Sequence, residues 1–354
     1  MKRWNTLIAV CGYLRAGLLG GERPQRRPGV SWKLLVEASS YHSVAPALAW
    51  CLKDMPDVPD GARDYFDTVL ALNGRRNKAL LAALARIVAA CNAIDIEPVP
   101  LKGAARLVER NYPAASLRFL GDLDVLIPPE RAADAVAALQ AIGFAESSES
   151  RFSAHHLPML HDRGGGGGVE LHTELLPRNG GKVVSGDWFQ TGTRASAFGD
   201  LRIRLADATR SVGHIIAHDQ LHHGRYWARG VELRQVLDVV MIRQRHEGAI
   251  DWAELEHRFR QSGFGEVLAT YLMIAEAMFG QPAPRLASAP RPGAIEDFRR
   301  KVETLRLQRL ASIMSNYVAA RRQDPCGVKL LDWRKLPGRI RLVMKALHHT
   351  PPNW

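Results

Sequence analysis

LRFLGDLDVLIPPE, residues 117–130, sets Asp122 and Asp124 two positions apart in what otherwise reads as a buried strand. A carboxylate leaving water without a partner either costs several kcal/mol or takes up a proton. In an extended chain, residues i and i+2 share a face about 6.5–7 Å apart. Both acids therefore point one way, while Leu123, Val125 and Ile127 point the other and pack beneath helices. Two parallel carboxylates at that spacing repel unless a cation lies between them, and a hard divalent metal is the natural one. Gly121, just ahead of the pair, lets a ligand or another backbone approach.

Outward from the pair, the pattern alternates. Upstream, IEPVPLKG (96–103) is a short strand ending in glycine and AARLVERNY (104–112) a short helix. Downstream, PERAADAVAALQAIGF (129–144) is a helix with Pro128 and Pro129 at its entrance. GGGGGVELHTELL (164–176) gives a third strand after five glycines that read as a mobile hairpin tip; the run has neither the GxxxxGK[ST] nor the GxGxxG form. In VELHTEL, Glu170, His172 and Glu174 share one face and Val169, Leu171 and Leu175 the other. If the two acidic strands are neighbours, Glu170 completes a three-carboxylate cluster with Asp122 and Asp124. Such a cluster holds two Mg²⁺ ions about 3.5–4 Å apart, one activating an attacking hydroxyl and the other carrying a triphosphate. Lys102 and Arg118 flank it with positive charge, and His172 is placed to contact a substrate phosphate or hydroxyl.

The flanks are helical. SWKLLVEASSYHSVAPALAWCL and NKALLAALARIVAACNAI, within residues 31–94, carry apolar residues at three- and four-residue intervals, with Ser31 as a cap and KDMPDVPDG as punctuation. From Asp207 the chain is helical again, with Asp207 and Asp251 as caps, until the Pro-rich QPAPRLASAPRPG leads into a basic tail. No stretch approaches 18 uncharged apolar residues, so no spanning helix is expected. The opening MKRWNTLIAVCGYLRAGLLGG resembles a signal peptide only superficially, because Arg15 interrupts the apolar run. Four cysteines without a CxxC pair suit a reducing compartment, and a cytoplasmic protein is expected. The formal charge of +12 favours phosphate-bearing partners.

LKG, then a helix, then an arginine shortly before a D-x-D strand, then an acid-x-His strand, resembles an uncharacterised bacterial nucleotidyltransferase family of the DNA polymerase β-like superfamily. The resemblance extends over about residues 30–265 and includes the helical flanks. It implies Asp122 and Asp124 as the metal-binding catalytic pair and Glu170 as the third acid, where many members have aspartate. Lys102 and Gly103 stand where better-known members carry a Gly-Ser that grips the triphosphate, and Lys102 supplies charge there without the serine contact. Arg118 is implied as a second phosphate clamp.

The expected fold is α+β, a small mixed-sheet nucleotidyltransferase core flanked by helical regions. Its segments are 1–94 (helical), 95–205 (core), 206–284 (helical) and 285–354 (Pro-rich link and basic helical tail). The expected reaction moves a nucleoside monophosphate from an NTP, ATP foremost, to an acceptor near His218, Arg225 and Arg229. A small molecule or peptide suits that role better than nucleic acid, and pyrophosphate leaves. Two alternatives stand beside it. One is a degenerate nucleotide-binding scaffold. The other is an HD-type metal phosphohydrolase built from His172, His218, Asp219 and Asp238. His214, His218 and His222 fall on one helical stripe, spread over about 12 Å, which suits one buried histidine better than a metal site.

Overall fold

Some of the flanking helices begin where a side chain satisfies their first amides, in a computed structural model that describes residues 2–24, 29–146 and 157–304. α1 (Lys2–Leu19) precedes α2 (Trp32–Tyr41), whose Leu34 amide donates to the Ser31 hydroxyl at 3.3 Å, the cap expected from the sequence. α3 (Ala45–Leu52) and the 33-residue α4 (Asp60–Asn92) lie on either side of the Pro-rich break. The basic tail from 305 onward, with Cys326, and the pair His155–His156 lie outside the described residues.

The core sheet forms from β1 (Val99–Pro100), β2 (Leu123–Leu126), β3 (Phe144–Glu146), β4 (Leu160–Asp162) and β5 (Gly168–His172). α5 (Lys102–Val108) and α6 (Ala132–Ala141) are interleaved among them. Strand order is β1-β2-β5-β4-β3, with β2 and β5 parallel and the other pairs antiparallel. This is the mixed sheet of an α+β fold. β2 is buried along its whole length, as a central strand must be.

α7 (Arg178–Val183) and α8 (Gly186–Thr191) lead to a hairpin of β6 (Thr193–Phe198) and β7 (Leu201–Ala206). Its Arg204 amide donates to the Pro98 carbonyl at 3.1 Å, which fastens the hairpin beside β1. α9 (Ala208–Ala217) runs into a π-helical turn over His218–His222. α10 (Leu233–His246), α11 (Trp252–Gln261), α12 (Gly265–Phe279) and α13 (Ala294–Thr304) complete the described chain. Asp207 and Asp251 cap α9 and α11, accepting from Arg210 and Glu254 amides at 2.7 and 2.8 Å.

Two apolar clusters hold these layers. One lies under the sheet, where Leu84, Ile87 and Val88 of α4 meet Val125, Leu139 and Leu171. The other joins the two helical flanks, from Leu7 and Val10 of α1 to Leu272 of α12 and Phe298 of α13. Among the described residues, no helix is long and apolar enough to cross a membrane.

The structure differs from the sequence reading at several strand ends. Asp122 lies just ahead of β2, outside the strand. β5 stops at His172, which leaves Glu174 exposed. The five-glycine tip is tied down, because Asp162 accepts amide hydrogens from Gly164 and Gly166 at 2.9 and 3.2 Å and pairs with Arg86 at 2.7 Å. β3, β4, β6 and β7 were not expected.

Candidate active site

The parallel register of β2 and β5 sets Asp124 directly against Glu170, which meets the condition for Glu170 to join the acid cluster. β1 lies on the other side of β2 and ends at Leu101, whose amide donates to the Asp124 carbonyl at 2.9 Å. The next residue, Lys102, turns the chain into α5 with φ at 46°, a left-handed conformation that costs a non-glycine residue about 1–2 kcal/mol. Its Nζ lies 2.7 Å from Asp124 Oδ1. His172, fully buried at the end of β5, places Nε2 2.8 Å from the same oxygen and 3.7 Å from Glu170 Oε2.

Charge within this group is strongly polarised. Burial alone would raise Asp124, but Lys102 and His172 overcome it and hold the carboxyl well below the usual range. Asp122 moves the other way. Burial, then the neighbouring charges of Asp124 and Glu170, push it up to about 6, with Lys102 and Arg234 opposing. Burial works against the Lys102 ammonium, yet the carboxylates of Asp124, Asp122 and Glu170 raise it above its ordinary value.

Donor atoms of Asp124, Glu170 and His172 lie within 4.8 Å of one another. Two carboxylate oxygens and one imidazole nitrogen fit a single divalent cation, and the imidazole widens the choice from Mg²⁺ towards Mn²⁺ or Zn²⁺. The sequence grouped Asp122 with Asp124 and Glu170; the side chains whose donor atoms lie this close are Asp124, Glu170 and His172. Asp122 precedes the strand by one residue. It lines the same cavity, an open space of about 460 Å³ bordered also by Lys102, Asp124, Glu170, His218 and Arg234.

Gly103 and Arg118 line the cavity and also make structural contacts. A Cβ on Gly103 would run into Leu120 and come within 3.1 Å of Arg118 Nη1, so only glycine lets α5 seat against the 118–120 segment. Arg118 is buried and gives its fork to Asp238 of α10, with Nη2 at 2.6 Å and Nε at 3.0 Å. Tyr112 also donates to Asp238, at 2.7 Å. The Arg118 carbonyl is held by the side-chain amides of Asn73 and Asn77 on α4, at 3.1 and 2.8 Å. The arginine shortly before the D-x-D strand thus joins the core to both helical flanks.

The histidine stripe lines the opposite wall. His214 and His218 are both buried, and His218 and His222 reach the cavity, with ring centroids 6.0 and 5.3 Å apart in succession. More of the stripe is therefore inside than the sequence suggested. Asp219 turns away to accept from Arg225 Nε and Gln220 Nε2, each at 2.7 Å, and Asp238 is taken by Arg118. The residues of the HD pattern thus do not converge on one point. Arg225 bridges Asp219 and Glu232, and Arg229 pairs with Asp297 at 3.1 Å, so both arginines near the expected acceptor are committed.

Arg234 and Gln235, in the first turn of α10, also line the cavity and were not singled out from the sequence. VELRQVLD (231–238) carried one usable signal: a cation at the start of a helix, where acids are favoured.

No curated protein and no solved structure matches this chain. A family described as "Uncharacterised nucleotidyltransferase" matches residues 28–280, which takes in the sheet, the acid cluster and most of both helical flanks. With that match spanning well over half its length, the chain belongs to this nucleotidyltransferase family.

Proposed function

We propose that this protein transfers a nucleoside monophosphate from an NTP, ATP foremost, to the hydroxyl of a small molecule or peptide, releasing pyrophosphate. The observation that carries the reading is the pairing of Asp124 with Glu170 across parallel strands, with Lys102 and His172 converging on the same carboxylate. Asp124, Glu170 and His172 would hold a divalent cation, with Asp122 beside them. Such an ion, when bound, neutralises phosphate charge and makes an attacking hydroxyl more acidic. The chain's own groups do the rest. Lys102 offsets the negative charge of the cluster, and His218 and His222 border the space open to the acceptor. A cavity of about 460 Å³ is in the range of small-molecule sites.

The test is incubation of the protein with each labelled NTP, Mg²⁺ or Mn²⁺, and cell extract, then isolation of the labelled product. Asp122→Asn removes a carboxylate with no hydrogen bond or ion pair among the described residues, so the variant should stay folded while label transfer falls by about a hundredfold or more. No transfer from any NTP, with wild type equal to Asp122→Asn, overturns the reading.

A second reading has one observation in its favour. Lys102 already neutralises Asp124, the arrangement of a nucleotide-binding protein without turnover. It predicts saturable NTP binding with no labelled product.

A further inference from the structure

Arg234 is a half-buried guanidinium with few partners. It lies in the first turn of the 14-residue α10, at the positive end of the helix dipole. Burial and the neighbouring charge of Arg118 both weigh against its protonated form. Its Nε is buried without a hydrogen-bond partner. A single long bond, Nη1 to the Phe119 carbonyl at 3.4 Å, is its one donor contact among the described residues, and no carboxylate there lies within ion-pair distance. The other two permanent cations of the cavity wall are both paired, Lys102 with Asp124 and Arg118 with Asp238. Glu232, Asp238 and Asp122 favour its charge from a distance, but none forms an ion pair with it, and an anion in the cavity would.

A second unpaired arginine reinforces the same side. The Phe119 ring has the Arg234 guanidinium 6.0 Å and the Arg76 guanidinium 4.8 Å from its centre. Arg76, on α4, has no acidic partner among the described residues and is not part of the cavity lining, so it adds positive field without contact. The acid cluster lies within the electrostatic reach of Arg234 through Asp122. The cavity therefore has an acidic pole that suits a cation and a cationic pole that suits an anion.

We propose that Arg234, supported by Arg76, is the binding site for the polyphosphate tail of the nucleotide, the role that the sequence had offered to Arg118. The inference rests on the nucleotidyl-transfer reading and deepens it. Arg234 presents an uncommitted planar fork, which matches phosphate oxygens in pairs as lysine does not.

Calorimetric titration of the full chain with the magnesium complex of inorganic tripolyphosphate tests the assignment. Arg234→Gln should weaken binding about 10- to 100-fold, the loss of a charge-assisted bidentate contact. Arg234→Lys should recover only part, and Arg76→Gln should cost about two- to threefold, as a charge acting at a distance. The melting temperature of Arg234→Gln should match or exceed that of wild type, because a half-buried charge without an ion-pair partner has been removed. Two results overturn the proposal: Arg234→Gln binding tripolyphosphate as tightly as wild type, or binding lost together with a lowered melting temperature. If Arg234→Gln binds normally and still transfers label from NTP, this assignment alone falls. If wild type binds neither NTP nor tripolyphosphate, the transferase reading falls with it.

Discussion

At the scale of single residues, Asp124 is the centre of the molecule's chemistry. It is nearly buried, yet its carboxylate stays ionised because Lys102 and His172 hold one of its oxygens between them. Removing one partner of a buried ion pair strands the other, at a cost of about 3–5 kcal/mol in full burial and less where one partner touches solvent, as Lys102 does. Lys102→Met should therefore destabilise the protein by about 2 kcal/mol in metal-free buffer. A divalent cation held by Asp124, Glu170 and His172 would replace the missing charge. Urea unfolding of Lys102→Met with chelator and with Mn²⁺ measures this: Mn²⁺ should restore more stability to the variant than it adds to wild type. Equal effects of Mn²⁺ on both would count against a cation at that carboxylate.

At the scale of elements, α4 does more than cover the sheet. Asn73 and Asn77, one turn apart, thread their amides into the carbonyls of residues 115–118, at 2.7 Å to Ser116 and 2.5 Å to Ala115 besides the two bonds to Arg118. The turn carrying Arg118 and leading into the D-x-D strand is set by this helix. Asn77→Leu leaves the Ala115 carbonyl without its partner and should cost about 1–3 kcal/mol. It should also lower NTP affinity by displacing Phe119 and Arg118. A variant that melts lower but binds NTP unchanged would confine Asn77 to stability. Much of this region was legible in the sequence. D-x-D and acid-x-His pointed to adjacent strands, and Ser31, Asp207 and Asp251 marked helix starts. What escaped had weak local signals: β3 and β4 are three residues each, too short for a two-residue alternation to register. Partners were less legible still. Arg118 looked like a phosphate ligand because nothing near it in sequence announces Asp238, 120 residues away.

At the scale of the whole molecule, positive charge is unevenly placed. Residues 305–354 hold ten Lys and Arg against two Asp and Glu, so most of the +12 lies in the tail, and the body that carries the site is far less basic than the total suggests. The phosphate reading thus rests on Arg234 and its surroundings, not on overall charge. The body is also one packed unit across its helical flanks, and buried histidines make that packing sensitive to acid. His42, between α2 and α3, is buried and neutral, pushed down to about 4 by burial and then by the charge of Arg225 from the far flank. His214 is pushed down to about 3, chiefly by burial. In the unfolded chain each histidine titrates near 6.5. Above that pH neither state binds the proton, and the stability from keeping the rings neutral is complete. Below it the unfolded chain takes up protons that the folded chain refuses, so stability falls by about 1.4 kcal/mol per pH unit for each such histidine, down to the folded values. The histidine share of the unfolding free energy should therefore decline between about pH 6.5 and 4, opposed in the same window by Asp122 and Asp219, whose raised values make the fold take up protons there. His42→Leu removes one of these protons and should flatten the decline by one histidine's share. Parallel curves for wild type and His42→Leu would mean that His42 is already protonated in the fold, and that the packing of the two helical flanks accommodates a charge there.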